Sequence, residues 1–349
     1  MGNRCSCLKS TKVEDNQVII EKEEARSRST QDVDNSAYVP TKVIKLQSVI
    51  RGCIQRKKFS SVTQLDTLSS NQKTKLNSKE VSTIPSDYSN SLTLATEKKI
   101  GHFIFPAQED DNIKVTLKPA TKIENNLIYI GEWNNDWERH GKGTQLWTDG
   151  SKYEGYWKND KANGYGRLIH SNGDVYEGVW VNDKANGAGQ YTHTDGAYYE
   201  GEWRDDKQHG QGYEVWPEGS SYRGGYISGE KSGQGHFKWT DGSSYIGGFL
   251  CNNIHGDGRY EWSDGRVYKG SWAHNKMDGK GEFAWPDGRK YEGEYNMDKK
   301  EGFGVFFWPD LKRYEGEWKN GKQHGKGRLI NEQEEVIEGE WVEGKRIKN

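Results

Sequence analysis

A five-residue pattern, Tyr-x-Gly-x-aromatic, recurs along the chain from residue 129 onward. Many copies read YEGEW or a close variant, and their spacing is nearly constant: the first step is 24 residues and the other eight are 23. The ten copies begin at residues 129, 153, 176, 199, 222, 245, 268, 291, 314 and 337. A fixed period of this length indicates a repeat architecture, in which each unit packs against its neighbours.

Each unit carries two further signals. A Gly-x-Gly element follows the pattern, as at Gly164/Gly166, and an Asp-Gly pair closes most units, as at Asp149-Gly150. Asp-Gly between aromatic runs predicts a β-hairpin, here with a type I′ turn, because that turn needs positive φ. Each repeat is therefore expected to be a strand, a polar loop, a second strand and a turn.

The alternation of residues within a strand assigns its two faces. Tyr153, Gly155 and Trp157 are two residues apart and share one face. Glycine between aromatic residues indicates that neighbouring side chains cross it, which predicts a continuous ladder of rings over the glycines. The opposite face is expected to be a solvated acidic row, formed by Glu177, Glu200, Glu292, Glu315 and Glu338.

YEGEW followed by Gly-x-Gly resembles the MORN (membrane occupation and recognition nexus) repeat, over residues 129–345. The resemblance implies an all-β fold, an elongated single twisted sheet of about ten tandem 23-residue hairpins, with a groove for a partner. Ile337 replaces the tyrosine of the tenth copy, which lacks Gly-x-Gly, as expected of a terminal unit. The aromatic face predicted to bind a protein partner comprises Tyr153, Trp157, Tyr176, Trp180, Tyr199, Trp203, Tyr268 and Trp272.

Composition excludes several classes of protein. Hydrophobic residues make up 32%, too few aliphatics for a large layered core, while all 14 Trp lie between Trp133 and Trp341. No run of 18 apolar residues or secretory signal is present, and the four scattered Cys favour a reducing compartment. We found no catalytic motif, and we expect no enzyme activity, cofactor or metal site. His140, His209, His255 and His324 are expected to pack at strand starts.

The net charge of −2 is the sum of unlike parts. Residues 1–100 hold 17 basic and 11 acidic residues, or +6, which leaves 33 basic and 41 acidic residues, or −8, in the remainder. An acidic body argues against nucleic acid binding. The acidic body also favours binding of a protein partner by the repeats over binding of phospholipid headgroups, because anionic lipid is attracted by clustered cations.

The first twelve residues, MGNRCSCLKSTK, match the pattern for N-myristoylation at Gly2. One myristoyl chain binds a membrane only marginally, with a constant of about 10⁴ M⁻¹, so a second signal is required. Cys5 and Cys7 are candidates for palmitoylation. Residues 1–12 are therefore predicted to be an acylated membrane anchor; an unmodified N-terminus is the alternative.

Residues 13–100 are polar and are expected to be a mostly disordered arm, with 101–128 as a lead-in to the repeats. Within the arm, residues 42–59 have apolar positions at helical spacing and six cations. This helix resembles the IQ motif, through Leu46, Gln47, Arg51, Gly52, Arg56 and Phe59. The resemblance implies binding to calmodulin or a centrin-like EF-hand protein; a helix lying on the membrane is the alternative.

Together these features predict a non-enzymatic, membrane-tethered scaffold with an unidentified protein partner on its repeats. The expected location is the cytoplasmic face of a membrane, foremost the plasma membrane, with the cilium or cortical cytoskeleton as further candidates. The alternatives are a module that binds acidic phospholipid headgroups and a cytoskeletal or ciliary structural protein.

Overall fold

A computed structural model of the protein describes residues 79–108 and 112–347. They form one open antiparallel sheet of 22 strands, in which each strand pairs with the strands next to it in the chain. The predicted all-β fold of tandem hairpins is confirmed. Among the described residues, no helix is long and apolar enough to cross a membrane.

Five elements precede the repeats: β1 (Lys79–Glu80), a 3-10 turn (Ser86–Tyr88), α1 (Ser91–Ile100), β2 (Thr116–Ile123) and a second 3-10 turn (Glu124–Asn126). The first strands of the repeats are β3 (Leu127–Trp133), β5 (Lys152–Lys158), β7 (Val175–Val181), β9 (Tyr198–Arg204), β11 (Ser221–Ile227), β13 (Ser244–Leu250), β15 (Val267–Ala273), β17 (Lys290–Asn296), β19 (Arg313–Lys319) and β21 (Val336–Val342). The second strands are β4 (Arg139–Leu146), β6 (Lys161–Ile169), β8 (Lys184–Thr192), β10 (Lys207–Val215), β12 (Glu230–Lys238), β14 (Asn253–Glu261), β16 (Lys276–Ala284), β18 (Lys299–Phe307), β20 (Lys322–Ile330) and β22 (Lys345–Arg346).

The part of the arm that adjoins the repeats is folded. The sequence predicts a mostly disordered arm over residues 13–100, and within it β1 pairs with β2 and α1 spans ten residues. Asn90 caps α1, because its side chain accepts hydrogen bonds from the N–H groups of Leu92 and Thr93 while Thr93 reciprocates. Gly101, with φ of 79°, ends the helix. The predicted anchor 1–12 and IQ helix 42–59 lie outside the described residues.

The turns also differ from the prediction. At Asp149-Gly150 only the glycine has positive φ, and its N–H donates to the carbonyl of Trp147 at 3.1 Å, so this turn is not type I′. The Asp149 carboxylate instead accepts a hydrogen bond from the Ser151 N–H. Positive φ at two successive residues occurs at the other end of the repeat, at Asn159 and Asp160, where a two-residue turn joins β5 to β6.

The core is a ladder of tyrosine and tryptophan rings along one face of the sheet, hereafter the inner face. The Tyr153 ring packs edge-on against Trp157 of its own repeat at 5.1 Å and against Trp180 of the next at 5.2 Å. The same arrangement recurs in one cluster from Tyr129 to Trp341. This confirms the predicted ladder, and it explains how a single layer buries apolar surface without a second sheet.

Glycine makes this packing possible. Gly155 of β5 lies opposite Gly166 of β6, and the Tyr153 ring crosses this pair. The Tyr153 hydroxyl then donates a hydrogen bond to the carbonyl of Tyr156 at 3.1 Å. The tyrosine is therefore held at both ends, by ring packing and by its hydroxyl.

Candidate protein-binding surfaces

The eight aromatic residues predicted to contact a partner are buried, with exposed fractions of 0 to 6%. They are Tyr153, Trp157, Tyr176, Trp180, Tyr199, Trp203, Tyr268 and Trp272. Their rings pack on one another, and several of their polar atoms also serve the fold: the Trp203 indole N–H donates to the Gly189 carbonyl at 3.0 Å. These residues are core, and their burial argues against their forming a contact surface for a partner.

Neighbouring repeats are also joined through the two-residue turns, which sequence reasoning missed. The Asp183 carboxylate accepts a hydrogen bond from the N–H of Ala162 in the preceding repeat at 2.8 Å. Asp206 does the same for Ala185 at 2.7 Å. Asp or Asn residues after the first strands, recurring at 23-residue steps, are the sequence signal for this contact.

The opposite, outer face carries the side chains that vary between repeats. The predicted acidic row lies there, but part of it is paired rather than free in solvent. Glu177 accepts a hydrogen bond from Arg167 at 2.8 Å. Hydrogen bonds from Arg313, at 2.9 Å, and from Arg328 hold the pKa of the Glu315 carboxyl below its ordinary value. The row is therefore not the uniformly solvated acidic surface that the sequence predicted.

Residues 90–108, hereafter the N-terminal strap, cover the outer face of the first repeats. Phe103 stacks on Tyr165 with ring centroids 6.2 Å apart, and Phe105 packs edge-on against Tyr156 at 5.7 Å. The Tyr156 hydroxyl donates to the carbonyl of Pro106 at 2.5 Å. The outer face therefore binds an extended segment through aromatic contacts and backbone hydrogen bonds.

Charged groups hold the strap as well. Glu97 of α1 forms an ion pair with Lys152 at 2.6 Å, and both side chains are largely buried. Arg167 donates to the carbonyl of Gly101 at 2.8 Å, and its guanidinium lies 5.3 Å from the Phe103 ring. An arginine and a lysine of the outer face thus recognise a segment that the repeats do not contain.

The acidic row is interrupted in the three central repeats. Arg223, Ile246 and Lys269 occupy the positions where other units have Glu177, Glu292 or the other row members, and all three are exposed. The strand register places His236 and Arg259 between them, in the order Arg223, His236, Ile246, Arg259, Lys269 across β11–β15. This stretch is hereafter the central row, and it has no acidic residue.

Other predicted sites are placed as follows. His140 is buried, and within 79–108 and 112–347 no cluster of three or more His, Cys, Asp or Glu side chains could hold a metal ion. Two sets of predicted site residues lie outside the described residues: Gly2, Cys5 and Cys7 of the lipid anchor, and Leu46, Gln47, Arg51, Gly52, Arg56 and Phe59 of the IQ motif.

The chain is similar to several solved structures, each at low identity. It shares 13% identity with the G-box domain of the microcephaly protein CPAP, covering 58% of this chain and 100% of that one, with a TM-score of 0.30. The SAS-4 (dCPAP) TCP domain of Drosophila melanogaster, solved with a proline-rich motif of Ana2, shares 13% over 49% and 86% of the two chains, with a TM-score of 0.26. The E1021V mutant of the Danio rerio CPAP TCP10 domain shares 17% over 56% and 97%, with a TM-score of 0.24. At these scores the likeness carries no conclusion about function.

No relative of the chain was found among curated proteins. The model of the MORN repeat matches nine segments: 129–152, 153–175, 176–198, 199–221, 222–244, 245–265, 268–288, 291–313 and 314–331. The tenth predicted copy lies beyond them, and it forms β21 followed by only the two-residue β22. Because the matched segments cover more than half of the sequence, the chain belongs to the MORN repeat family.

Proposed function

We propose that this protein is a non-enzymatic scaffold tethered to the cytoplasmic face of a membrane. In this proposal Gly2, Cys5 and Cys7 carry the acyl chains, and residues 46–59 bind calmodulin or a centrin-like EF-hand protein. The repeat sheet binds a protein partner. The MORN repeats form a repeat scaffold. The membrane tether, the EF-hand partner and the partner of the repeat sheet are what we propose.

The observation that carries a scaffold role is the contrast between the two faces of the sheet. The inner face repeats the same tyrosine, glycine and tryptophan positions in unit after unit, and it is filled by its own rings. The outer face changes from unit to unit, from Glu177 to Arg223 to Ile246, while the backbone stays the same. A constant framework with a varied exposed surface is typical of repeat proteins that bind other proteins.

The outer face is the side on which we place the partner. It already binds the strap, through Phe103 on Tyr165 and Arg167 on the Gly101 carbonyl, so its chemistry suits an extended polypeptide. The tether rests on sequence, because one acyl chain is marginal and the N-terminus offers two cysteines beside the myristoylation pattern.

The test is affinity purification of the full chain from the membrane fraction of the cells that express it. We expect an EF-hand protein to co-purify in stoichiometric amount with the wild type, and to be lost from Arg51→Ala/Arg56→Ala. The matched control is Lys73→Ala/Lys75→Ala, which removes two cations outside the motif and should retain the EF-hand protein. Equal recovery from the wild type and the Arg51→Ala/Arg56→Ala variant would contradict the assignment.

A further inference from the structure

A side chain covers one particular point of the outer face in most repeats. The point lies over the first glycine of the Gly-x-Gly element, where a Cβ added to that glycine would meet the covering atoms. In four repeats the covering group is a carboxylate, from Glu132, Glu202, Glu294 and Glu317. In two of these the carboxylate also accepts a backbone hydrogen bond, from the N–H of Lys142 at 2.6 Å and of Gln211 at 3.0 Å. We name this point the carboxylate position.

Three other repeats cover the carboxylate position with different groups. Val179 and Ser271 do so in the third and seventh repeats. In the second repeat the covering atom comes from outside the repeats: Tyr156 stands where the four repeats have glutamate, and the side-chain oxygen of Gln108, at the end of the strap, lies over Gly164. The carboxylate position can therefore receive an oxygen from a segment that docks on the outer face.

The fifth and sixth repeats leave the carboxylate position open. Gly225 and Gly248 replace the glutamate. Among the described residues, no heavy atom outside the adjoining residues lies within 4 Å of a Cβ built on Gly233 or Gly256. Two adjacent units thus lack the group that covers this point in the seven other repeats with a Gly-x-Gly element.

The backbone at the two open positions keeps the register of the filled ones. Gln234 and Asp257 have the same register position in their hairpins as Gln211, whose N–H donates to Glu202. Their N–H groups are therefore the donors that an incoming carboxylate would meet. The Asp257 carboxylate is itself on this face, and it accepts a hydrogen bond from the Ser271 hydroxyl at 2.8 Å, so it already has a partner.

The side chains around the two open positions favour an acidic and aliphatic ligand. Arg223 and Lys269 of the central row are exposed, and neither forms an ion pair with a carboxylate of the described residues. Ile227, Ile246 and Leu250 are exposed on the same face, with exposed fractions of 60, 53 and 46%. A polypeptide that combines carboxylates with aliphatic side chains complements both features.

We propose that the outer face of the fifth to seventh repeats binds an extended acidic segment of a partner protein, whose carboxylates fill the two open positions. The first glycines of the two Gly-x-Gly elements, Gly233 and Gly256, are two strand spacings apart, or about 10 Å. Three residues of an extended or polyproline II segment span about 9–10 Å. The segment therefore carries Asp or Glu at positions i and i + 3, with aliphatic residues beside them. This proposal rests on the proposed binding of a protein partner by the repeat sheet and names the chemistry of that partner.

The test is fluorescence anisotropy of a fluorescein-labelled synthetic peptide titrated with the full chain. The peptide has two glutamates three positions apart, with valine and isoleucine between and beside them. We expect saturable binding to the wild type, and Arg223→Gln/Lys269→Gln should weaken it roughly fivefold, because two exposed charge pairs are lost. The matched control is Lys207→Gln/Lys299→Gln, which removes two exposed cations outside the central row and should leave the affinity unchanged.

A second peptide tests the geometry rather than the charge. It has the same composition but adjacent glutamates, so it cannot fill both open positions and should bind several-fold more weakly. Amide hydrogen exchange of the wild type locates the site, because the first peptide should slow the exchange of the Gln234 and Asp257 N–H groups.

Lack of saturable binding to the wild type would overturn the proposal, as would equal affinities for the two peptides or an unchanged affinity of Arg223→Gln/Lys269→Gln. Binding of phosphatidylserine vesicles that is lost in the same variant, without peptide binding to the wild type, would assign the surface to lipid instead. Failure of the co-purification test would overturn the EF-hand assignment and leave the peptide result unchanged, because the two experiments probe different parts of the chain.

Discussion

Tyr199 and Gly201 depend on each other: a Cβ on Gly201 would lie 2.6 Å from the Tyr199 hydroxyl oxygen and 2.6 Å from the Cα of Gly212 on the paired strand. A real Cβ cannot approach either atom so closely. In the first nine repeats, the tyrosine side chain occupies the space over the glycine in the centre of the same first strand, and this explains why the two residues recur together.

Gly201→Ala should lower the free energy of unfolding by about 1–3 kcal/mol, the range for overpacking a tight core, and Gly201→Val should lower it further. Urea unfolding of the full chain measures both. Ala188→Val is the control, because Ala188 is exposed on the adjacent strand and its substitution should change the free energy by no more than about 0.5 kcal/mol. Equal effects of the glycine and alanine substitutions would show that the close packing is not a constraint.

Trp203→Ala should cost about 3–5 kcal/mol, as expected for truncating a large buried aromatic residue. Trp203 packs against Tyr199 at 5.1 Å and against Tyr176 of the preceding repeat at 5.2 Å. Because each unit contacts only its neighbours, amide hydrogen exchange should accelerate in β7–β10 and remain slow in β17–β20. Exchange that accelerates equally along all repeats would indicate one cooperative unit.

Much of this fold follows from the sequence because its determinants are local and repeated. The Tyr153, Gly155, Trp157 alternation predicted the strand, its core face and the ring ladder. The turn type was not predicted correctly, because an Asp-Gly pair such as Asp149-Gly150 suits two kinds of hairpin loop. The hydrogen bond from the Ser151 N–H to the Asp149 carboxylate is also not evident from residue spacing.

The contacts outside the repeats could not be predicted in this way. Glu97 and Lys152 form an ion pair although they are far apart in the sequence, and no periodic pattern relates the two positions. The aromatic positions predicted a binding face, yet a single sheet without a second layer must bury those rings against one another. The surface left for a partner is the outer face, where Arg223, Ile246 and Lys269 depart from the repeat.

Lys300 makes the stability depend on pH. It is buried among aromatic rings, with its ammonium 4.7 Å from the centre of Phe306 and 5.0 Å from that of Trp318. Burial, with a smaller contribution from Arg289, lowers its pKa from 10.5 to about 7. The unfolded chain therefore binds more protons between pH 7 and 10.5, and the free energy of unfolding should rise with pH in that window.

Lys300→Met should remove this rise, whose slope is on the order of 1.4 kcal/mol per pH unit, and should stabilise the protein most below pH 7. Met277 fills the equivalent position of the preceding repeat and is fully buried there, so the site accepts methionine. Urea unfolding at pH 6, 8 and 9.5 measures the slope. Lys299→Met, which replaces an exposed lysine, should retain the slope. A wild type whose free energy of unfolding does not change with pH in this window would show that burial does not lower the pKa of Lys300.

A peptide of residues 40–60 should bind calmodulin or a centrin-like protein, because its apolar stripe fits a lobe groove and its cations meet the acidic rim. Leu46→Asp should abolish binding by breaking the stripe, and Arg51→Ala/Arg56→Ala should weaken it. Thr41→Ala, outside the motif, is the control. Isothermal titration calorimetry that detects no heat with or without calcium would rule out the assignment.

Membrane fractionation of cells that express the full chain tests the tethered scaffold most directly. Cys5→Ser/Cys7→Ser should release most of the protein, because myristate alone binds marginally. Ser10→Ala is a control for substitution near the N-terminus. The account predicts that wild type and Ser10→Ala sediment with membranes while Gly2→Ala moves to the cytosol; a Gly2→Ala variant that stays in the membrane pellet would contradict it.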